Sequence, residues 1–142
     1  MDTLHAHAVQ LAGAAREAAP VLATADGGTK NAVLSALADK LRRRTQSIRK
    51  ANQKDLDAAR TAKLPAALRD RLHLTKQRIE SMARGVEQVA ALPDPVGAIM
   101  DGWTRPNGLQ LTRVRVPLGV VLMIYESRPN VTVDAAALCI KS

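Results

Sequence analysis

The sequence predicts an α/β protein in which a helical arm, residues 1–100, leads into the first strands and first helix of a parallel sheet, residues 101–142. Three observations carry this. Apolar residues recur at helical spacing as far as Leu92-Pro93-Asp94-Pro95, and beyond it the period changes to two. Val120 to Tyr125 is an unbroken apolar run, the pattern of a strand buried on both faces. The stretch Val133 to Ser142 is apolar nearly all round, as a helix covered on several sides would be. A strand of that kind followed by such a helix is one βα step, and a parallel sheet needs further strands beside it. The chain is therefore expected to be the N-terminal portion of a longer α/β protein.

Taken in order, Thr3 to Ala19 places Leu4, Ala8, Leu11 and Ala15 at helical spacing, and Pro20 is expected to interrupt. Asp26-Gly27-Gly28 reads as a turn, with Thr29 as N-cap of a second helix. That helix carries Val33, Leu34, Leu37, Leu41 and Ile48 on one stripe, with most of its basic residues elsewhere. A third covers roughly residues 53–62 and ends before Pro65. Thr75 caps a fourth, in which Ile79, Met82, Val86 and Val89 recur on one face. Leu109 and Leu111 then alternate in one parity, and Val114 and Val116 in the other, which predicts a bulge near Thr112. Pro117-Leu118-Gly119 turns the chain into the apolar run. Glu126 to Pro129 forms a polar turn, and Asn130 or Thr132 opens the last helix.

Composition limits what this chain does. Apolar residues make up 46% of it and aromatics 1%, with Trp103 and Tyr125 alone and no Phe. Twenty-five alanines supply much of the apolar share, so helices can approach closely while each residue buries little area. Such hydrophobicity excludes wholesale disorder. No apolar run approaches the ~20 residues of a membrane-spanning helix. Met1-Asp2-Thr3 lacks the basic start of a signal peptide, and a single cysteine cannot form an internal disulfide. A cytoplasmic setting is the expectation.

The net charge of +8 is concentrated in the middle: residues 1–29 carry −2, residues 30–88 carry +9 and residues 89–142 carry +1. Arg42-Arg43-Arg44 and the pairs Arg69/Arg71 and Lys76/Arg78 could meet nucleic-acid phosphates. The segment offers no aromatic residue to stack bases and no helix-turn-helix signature, so the plainer reading is solvated faces of amphipathic helices. A basic helical nucleic-acid-binding module, or an assembly module using the 109–116 strand as an edge, remains the alternative.

The turn after the apolar run is the best place for a ligand, because ligands of open α/β sheets gather where strands end and helices begin. Arg128 adds a forked donor suited to phosphate or carboxylate. The turn has no glycine, so the dinucleotide fingerprint G-x-G-x-x-G is absent, and an ordinary βα connection with a surface arginine would look the same. Cys139, inside Ala135-Ala136-Ala137-Leu138-Cys139-Ile140, reads as a buried, inert thiol with no His or acid placed to activate it. His5, His7 and His73 have no metal-ligand spacing. Asp55 and Asp57 face apart, and Asp134 fits helix-dipole stabilisation in a first turn.

Val116-Pro117-Leu118-Gly119-Val120-Val121 and the string from Ile124-Tyr125-Glu126-Ser127-Arg128-Pro129-Asn130 through Val131-Thr132-Val133-Asp134-Ala135 resemble the gamma-glutamyl phosphate reductase family of the aldehyde dehydrogenase superfamily. Asn52-Gln53-Lys54-Asp55-Leu56, Ala90 to Gly97 and Trp103 to Leu109 support the resemblance, which is weakest over the first thirty residues. It implies an aldehyde-dehydrogenase-like fold, with the helical arm at 1–100 and the start of an NADPH-binding domain at 101–142. It also implies NADPH-dependent reduction of gamma-glutamyl phosphate to glutamate-5-semialdehyde and phosphate, in proline biosynthesis. In that family a cysteine thiolate attacks the acyl phosphate, phosphate leaves, and hydride reduces the thioester. That cysteine is expected beyond position 142, so no catalytic residue is assigned here and the chain by itself is expected to be inactive. Ile124, Tyr125, Glu126, Ser127 and Arg128 are the cofactor-side candidates, mainly through backbone, and Arg128 and Asn130 the substrate-side ones. Many aldehyde dehydrogenases keep an oxyanion-stabilising asparagine in this turn; a gapless match puts Arg128 there, a shift of one puts Ser127, and Asn130 is only nearby. The implied partners are gamma-glutamyl phosphate, further copies of the chain in a homo-oligomer and glutamate 5-kinase, with no nucleic acid, membrane or metal.

Overall fold

The computed structural model describes residues 3–126 and 128–142. Helix α1 spans Thr3–Thr24 and α2 spans Gly27–Arg43. Pro20 does not interrupt α1, which runs through it. The proline removes one backbone donor, and the carbonyl of Arg16 that loses its partner belongs to an exposed residue where water can replace it. None of the described residues of α1 is buried. The cap of α2 is Asp26 rather than Thr29: its carboxylate accepts from the Thr29 amide at 2.8 Å and from the Thr29 hydroxyl at 3.1 Å. A carboxylate satisfies two donors there and complements the positive end of the helix, and these bonds hold the Asp26 carboxyl below its usual range.

Helix α3 spans Thr45–Thr61, so the second and third helices divide at Arg44, well before the expected boundary. The Thr45 hydroxyl donates to the carbonyls of Leu41 at 3.1 Å and Arg42 at 2.8 Å, a local alternative to continuing one straight helix. Ile48 therefore sits on α3, where it still packs against the core. A short helix, α4, spans Ala66–Leu72 after Pro65; the sequence reading did not foresee it. Asn52 of α3 ties it down from below. Its buried amide donates to the Leu72 carbonyl at 2.9 Å and accepts from the Leu74 amide at 2.8 Å.

Helix α5, Lys76–Ala91, is the element foreseen best: Thr75 caps it through the Arg78 amide, and Ile79, Met82, Ala83 and Val86 are its buried face. Against them lie Leu34, Ala38 and Leu41 of α2, together with Leu74. Helix α6, Pro129–Lys141, closes this core with Ala137. Ala38, Ala83 and Ala137 are all fully buried where these helices meet, which is how an alanine-rich chain without phenylalanine excludes water.

Beyond α5 the order loosens. Strand β1, Ile99–Thr104, pairs antiparallel with β2, Gln110–Val114. The bulge is on β1, not near Thr112: Ile99 faces Val114 and Asp101 faces Arg113, leaving Met100 as the extra residue. Gly102 lets the strands close up, since a Cβ there would stand 3.1 Å from the Leu111 carbonyl oxygen. Residues 120–125, expected as a doubly buried strand, form no ladder, and Leu122 and Ile124 are 85% and 88% exposed. A strand is stable only beside another strand, and among the described residues β1 and β2 pair with each other alone.

Helix α6 opens before either expected residue, Asn130 or Thr132, with Pro129 in its first turn and Arg128 as N-cap without a side-chain capping bond. Asp134 consequently lies beyond the first turn and is not the dipole partner it was expected to be. The helix is covered on one side only, and Leu138 is half exposed. Its C-terminus is fastened by Lys141, a buried lysine whose ammonium donates to Asn31 Oδ1 at 2.6 Å and to the Ala90 carbonyl at 3.0 Å.

Candidate functional site

The start of α6 forms one wall of a cleft of about 350 Å³. Arg128, Asn130 and Asp134 line it from α6, Asp70, Arg71, His73 and Leu74 from α4 and the turn after it, and Arg78, Ser81 and Met82 from α5. The core places these walls: α6 packs on α5 through Ala137, and Asn52 fixes the end of α4.

The charges are arranged in two groups. Arg78 grips Asp70 with Nη2, at 3.1 and 3.0 Å to the two carboxylate oxygens, and donates through Nη1 to the carbonyls of Asp70 and His73, the latter at 2.8 Å. Glu126 receives two guanidinium groups on one oxygen, Arg71 at 3.2 Å and Arg128 at 3.3 Å. These pairs are exposed, so each contributes little to stability; what they do is hold two forked donors side by side at the mouth of the cleft. Asn130 donates from Nδ2 to Asp134 Oδ2 at 3.2 Å.

Of the cofactor-side candidates, Arg128 lines the cleft, whereas Ile124, Tyr125 and Glu126 lie outside its lining, Glu126 reaching it only through its ion pairs to Arg71 and Arg128. The Tyr125 hydroxyl shares a 2.7 Å hydrogen bond with the Thr132 hydroxyl, tying the turn to the first turns of α6. Ser127 lies outside the described residues. The substrate-side candidates Arg128 and Asn130 both face the cleft. Sequence reasoning missed Arg71 as the partner of Glu126, 55 positions away, since no local pattern links a short helix to a turn so distant. Cys139 is a correction: the thiol is free and exposed, on the side of α6 turned from the core, because the helix is covered on one side.

Of the fifteen Lys and Arg in residues 30–88, five meet a carboxylate among the described residues: Lys30, Arg42, Arg60, Arg71 and Arg78. Arg42 meets Glu80 at 3.1 Å and Glu87 through a short contact of 2.5 Å, and both glutamates are held below the usual carboxylate range by those bonds. Buried Lys30 meets Asp94 at 3.2 Å; the Val96 amide, and then that lysine, hold Asp94 below its usual range. Among the described residues no group of three His, Cys, Asp or Glu could hold a metal ion, and no helix is long and apolar enough to cross a membrane.

No family model matches the chain. Curated relatives do. A gamma-glutamyl phosphate reductase of Desulforapulum autotrophicum is 55% identical over 140 residues, which is 99% of this chain and 34% of the relative. One of Gluconobacter oxydans is 60% identical over 132 residues, 93% of this chain and 31% of the relative. Among solved structures, the gamma-glutamyl phosphate reductase of Thermotoga maritima superposes with a TM-score of 0.89 at 43% identity, over 94% of this chain and 32% of that one. That of Saccharomyces cerevisiae gives 0.88 at 38% identity, over 94% of this chain and 34% of that one. The chain spans about a third of the length of the relatives it matches. Over that third it is similar throughout to the gamma-glutamyl phosphate reductases.

Proposed function

We propose that the chain supplies the substrate-facing turn of an NADPH-dependent reductase that converts gamma-glutamyl phosphate to glutamate-5-semialdehyde and phosphate. The observation that carries the reading is the identity of 55% across 99% of the chain to a relative of that name. The cleft supports it chemically. Arg71 and Arg128 stand ready-paired on Glu126, and a phosphate or carboxylate can exchange with that carboxylate for two forked donors. Arg128 is placed on the acyl phosphate or carboxylate, with Asn130 beside it.

A nicotinamide cofactor fits the stretch before α6, where residues 120–126 are exposed, carry no ladder and lead into a helix N-terminus. Ile124, Tyr125, Glu126, Ser127 and Arg128 would hold it, mainly by backbone. When bound, it supplies the hydride. The role of these residues is to bind and orient; no catalytic role falls on residues 1–142. In this reading residues 1–100 form the helical arm and residues 101–142 begin the cofactor-binding domain, in a cytoplasmic homo-oligomer that associates with glutamate 5-kinase.

The test is a chimera in which this chain replaces the matching residues of the Desulforapulum autotrophicum relative, expressed in a bacterium that lacks the reductase and requires proline. Growth without proline, and phosphate-dependent oxidation of glutamate-5-semialdehyde by the purified chimera, are expected. Arg128→Ala should lower kcat/KM by about 10- to 100-fold, the loss of charge-assisted bonds to the substrate. Unchanged kcat and KM would remove Arg128 from the site, and an inactive chimera would overturn the reading.

A further inference from the structure

We propose that Asp134, supported by Asn130, receives the α-ammonium group of an amino-acid substrate at the α6 wall of the cleft. The inference rests on the acyl-phosphate reading above and concerns the end of the substrate that Arg128 does not hold. The charges lining the cleft divide unevenly. Arg78 is engaged by Asp70 and two carbonyls, and Arg71 and Arg128 share Glu126. Asp134 is the lining carboxylate that meets no cation among the described residues, for its Oδ2 accepts only from the neutral amide of Asn130 at 3.2 Å. Its Oδ1 lies toward α5 at Gly85, where an added Cβ would stand 3.9 Å away. Asp134 is itself an exposed residue.

Helix electrostatics do not account for this carboxylate, since Asp134 lies past the first turn of α6. Recognition does. An ammonium has three donors and needs acceptors with negative charge. Asn130 and Asp134 are four residues apart on one helix face, about 6 Å along the axis, and together present a carboxylate and an amide oxygen. Arg128 precedes them at the mouth. A cleft with guanidinium groups at one end and an unpaired carboxylate farther along complements a molecule that carries an anionic group and an ammonium, as a gamma-activated α-amino acid does.

The experiment compares two aldehydes in the chimera: glutamate-5-semialdehyde and 5-oxopentanoate, which is the same aldehyde without the ammonium. The ratio of their kcat/KM values should fall by about 10- to 100-fold in Asp134→Asn, which keeps the shape and removes the charge. Equal losses on both aldehydes would mark a structural role and overturn the proposal, as would an unchanged ratio. A chimera that turns over neither aldehyde defeats the reductase reading instead, and the ammonium site is then decided on the 142-residue chain by amide NMR. There, L-glutamate shifting the Asn130 to Asp134 amides while glutarate does not upholds the site, provided Asp134→Asn abolishes the difference. Equal responses, or none, overturn it.

Discussion

Two parts of this molecule are similarly apolar in sequence and opposite in fate. Helices α2, α5 and α6 bury Leu34, Ile79, Val86 and Ala137 almost completely, while Val120 to Tyr125, an unbroken apolar run, stands open to solvent. Composition does not separate them; partners do. A helix satisfies its own backbone and needs only a neighbouring face, which α2 and α5 give each other at helical spacing. A strand satisfies its backbone only by pairing, so the run at 120–125 has no stable form without strands on its edges. The exposed run and the cleft both adjoin the start of α6, whose other side packs on the core.

The sharpest way to break this comparison is to truncate a side chain on each side of it. Ile79→Ala removes a fully buried group from between α2 and α5 and should cost about 2–5 kcal/mol. Ile124→Ala removes a side chain that is 88% exposed and should change stability by less than about 0.5 kcal/mol. Urea denaturation followed by helical circular dichroism measures both. A similar loss in the two variants would mean that the 120–125 run is packed in solution.

That contrast also explains how much of the chain was legible in its sequence. Helix α5 was readable in full because its cap, its periodicity and its stop at Leu92-Pro93 are all local. The boundary between α2 and α3 was not, since it depends on the Thr45 hydroxyl turning back on α2 rather than on any proline or glycine. Helix α4 is seven residues long, too short to show a period. Strand β1 contains Asp101 and Gly102 and does not alternate, so only its partner revealed it. Arg128 was readable as a site candidate from its place in the turn before an apolar helix, and Asn130 only through the family resemblance. Arg71 and Glu126 meet across 55 positions, and the place of Asp134 past the first turn of α6 depends on the helix beginning at Pro129.

A smaller effect tests whether the rigid side extends to α4, which lines the cleft without entering the main core. Asn52 is the link: its buried amide holds the Leu72 carbonyl and the Leu74 amide. Asn52→Ala would leave both backbone groups short of a partner, at a cost of about 1–3 kcal/mol. Asn52→Asp is the sharper variant, because it can still accept from Leu74 but can no longer donate to Leu72 while ionised. Hydrogen exchange should report the damage locally, with faster exchange at 66–74 and little change in α5. Exchange that rises uniformly would mean that α4 is part of one cooperative unit with the core.

The smallest expected effect concerns the charges on the outside of the rigid side. Arg42 of α2 reaches across to Glu80 and Glu87 of α5, and its hydrogen bonds hold both carboxyls below their ordinary values. A carboxyl whose folded pKa is depressed stabilises the fold above its unfolded pKa and loses that contribution as pH falls through the folded one. The α2–α5 contact should therefore weaken on acidification from about pH 6 to about pH 3, the range in which ordinary and depressed carboxyls become protonated. Arg42→Met keeps the aliphatic stem and removes the cation, so the thermal midpoint should fall less over that interval than in the parent. Some pH dependence will persist, because Asp26 and Asp94 are also held low and lose their stabilising bonds over the same range. High salt should shrink the difference between parent and variant, since these groups are partly exposed to solvent and screened by it. An unaltered acid slope in Arg42→Met would show that the two helices are held by Leu34, Ile79 and Val86 alone, and that the charges above them only mark the edge of the core.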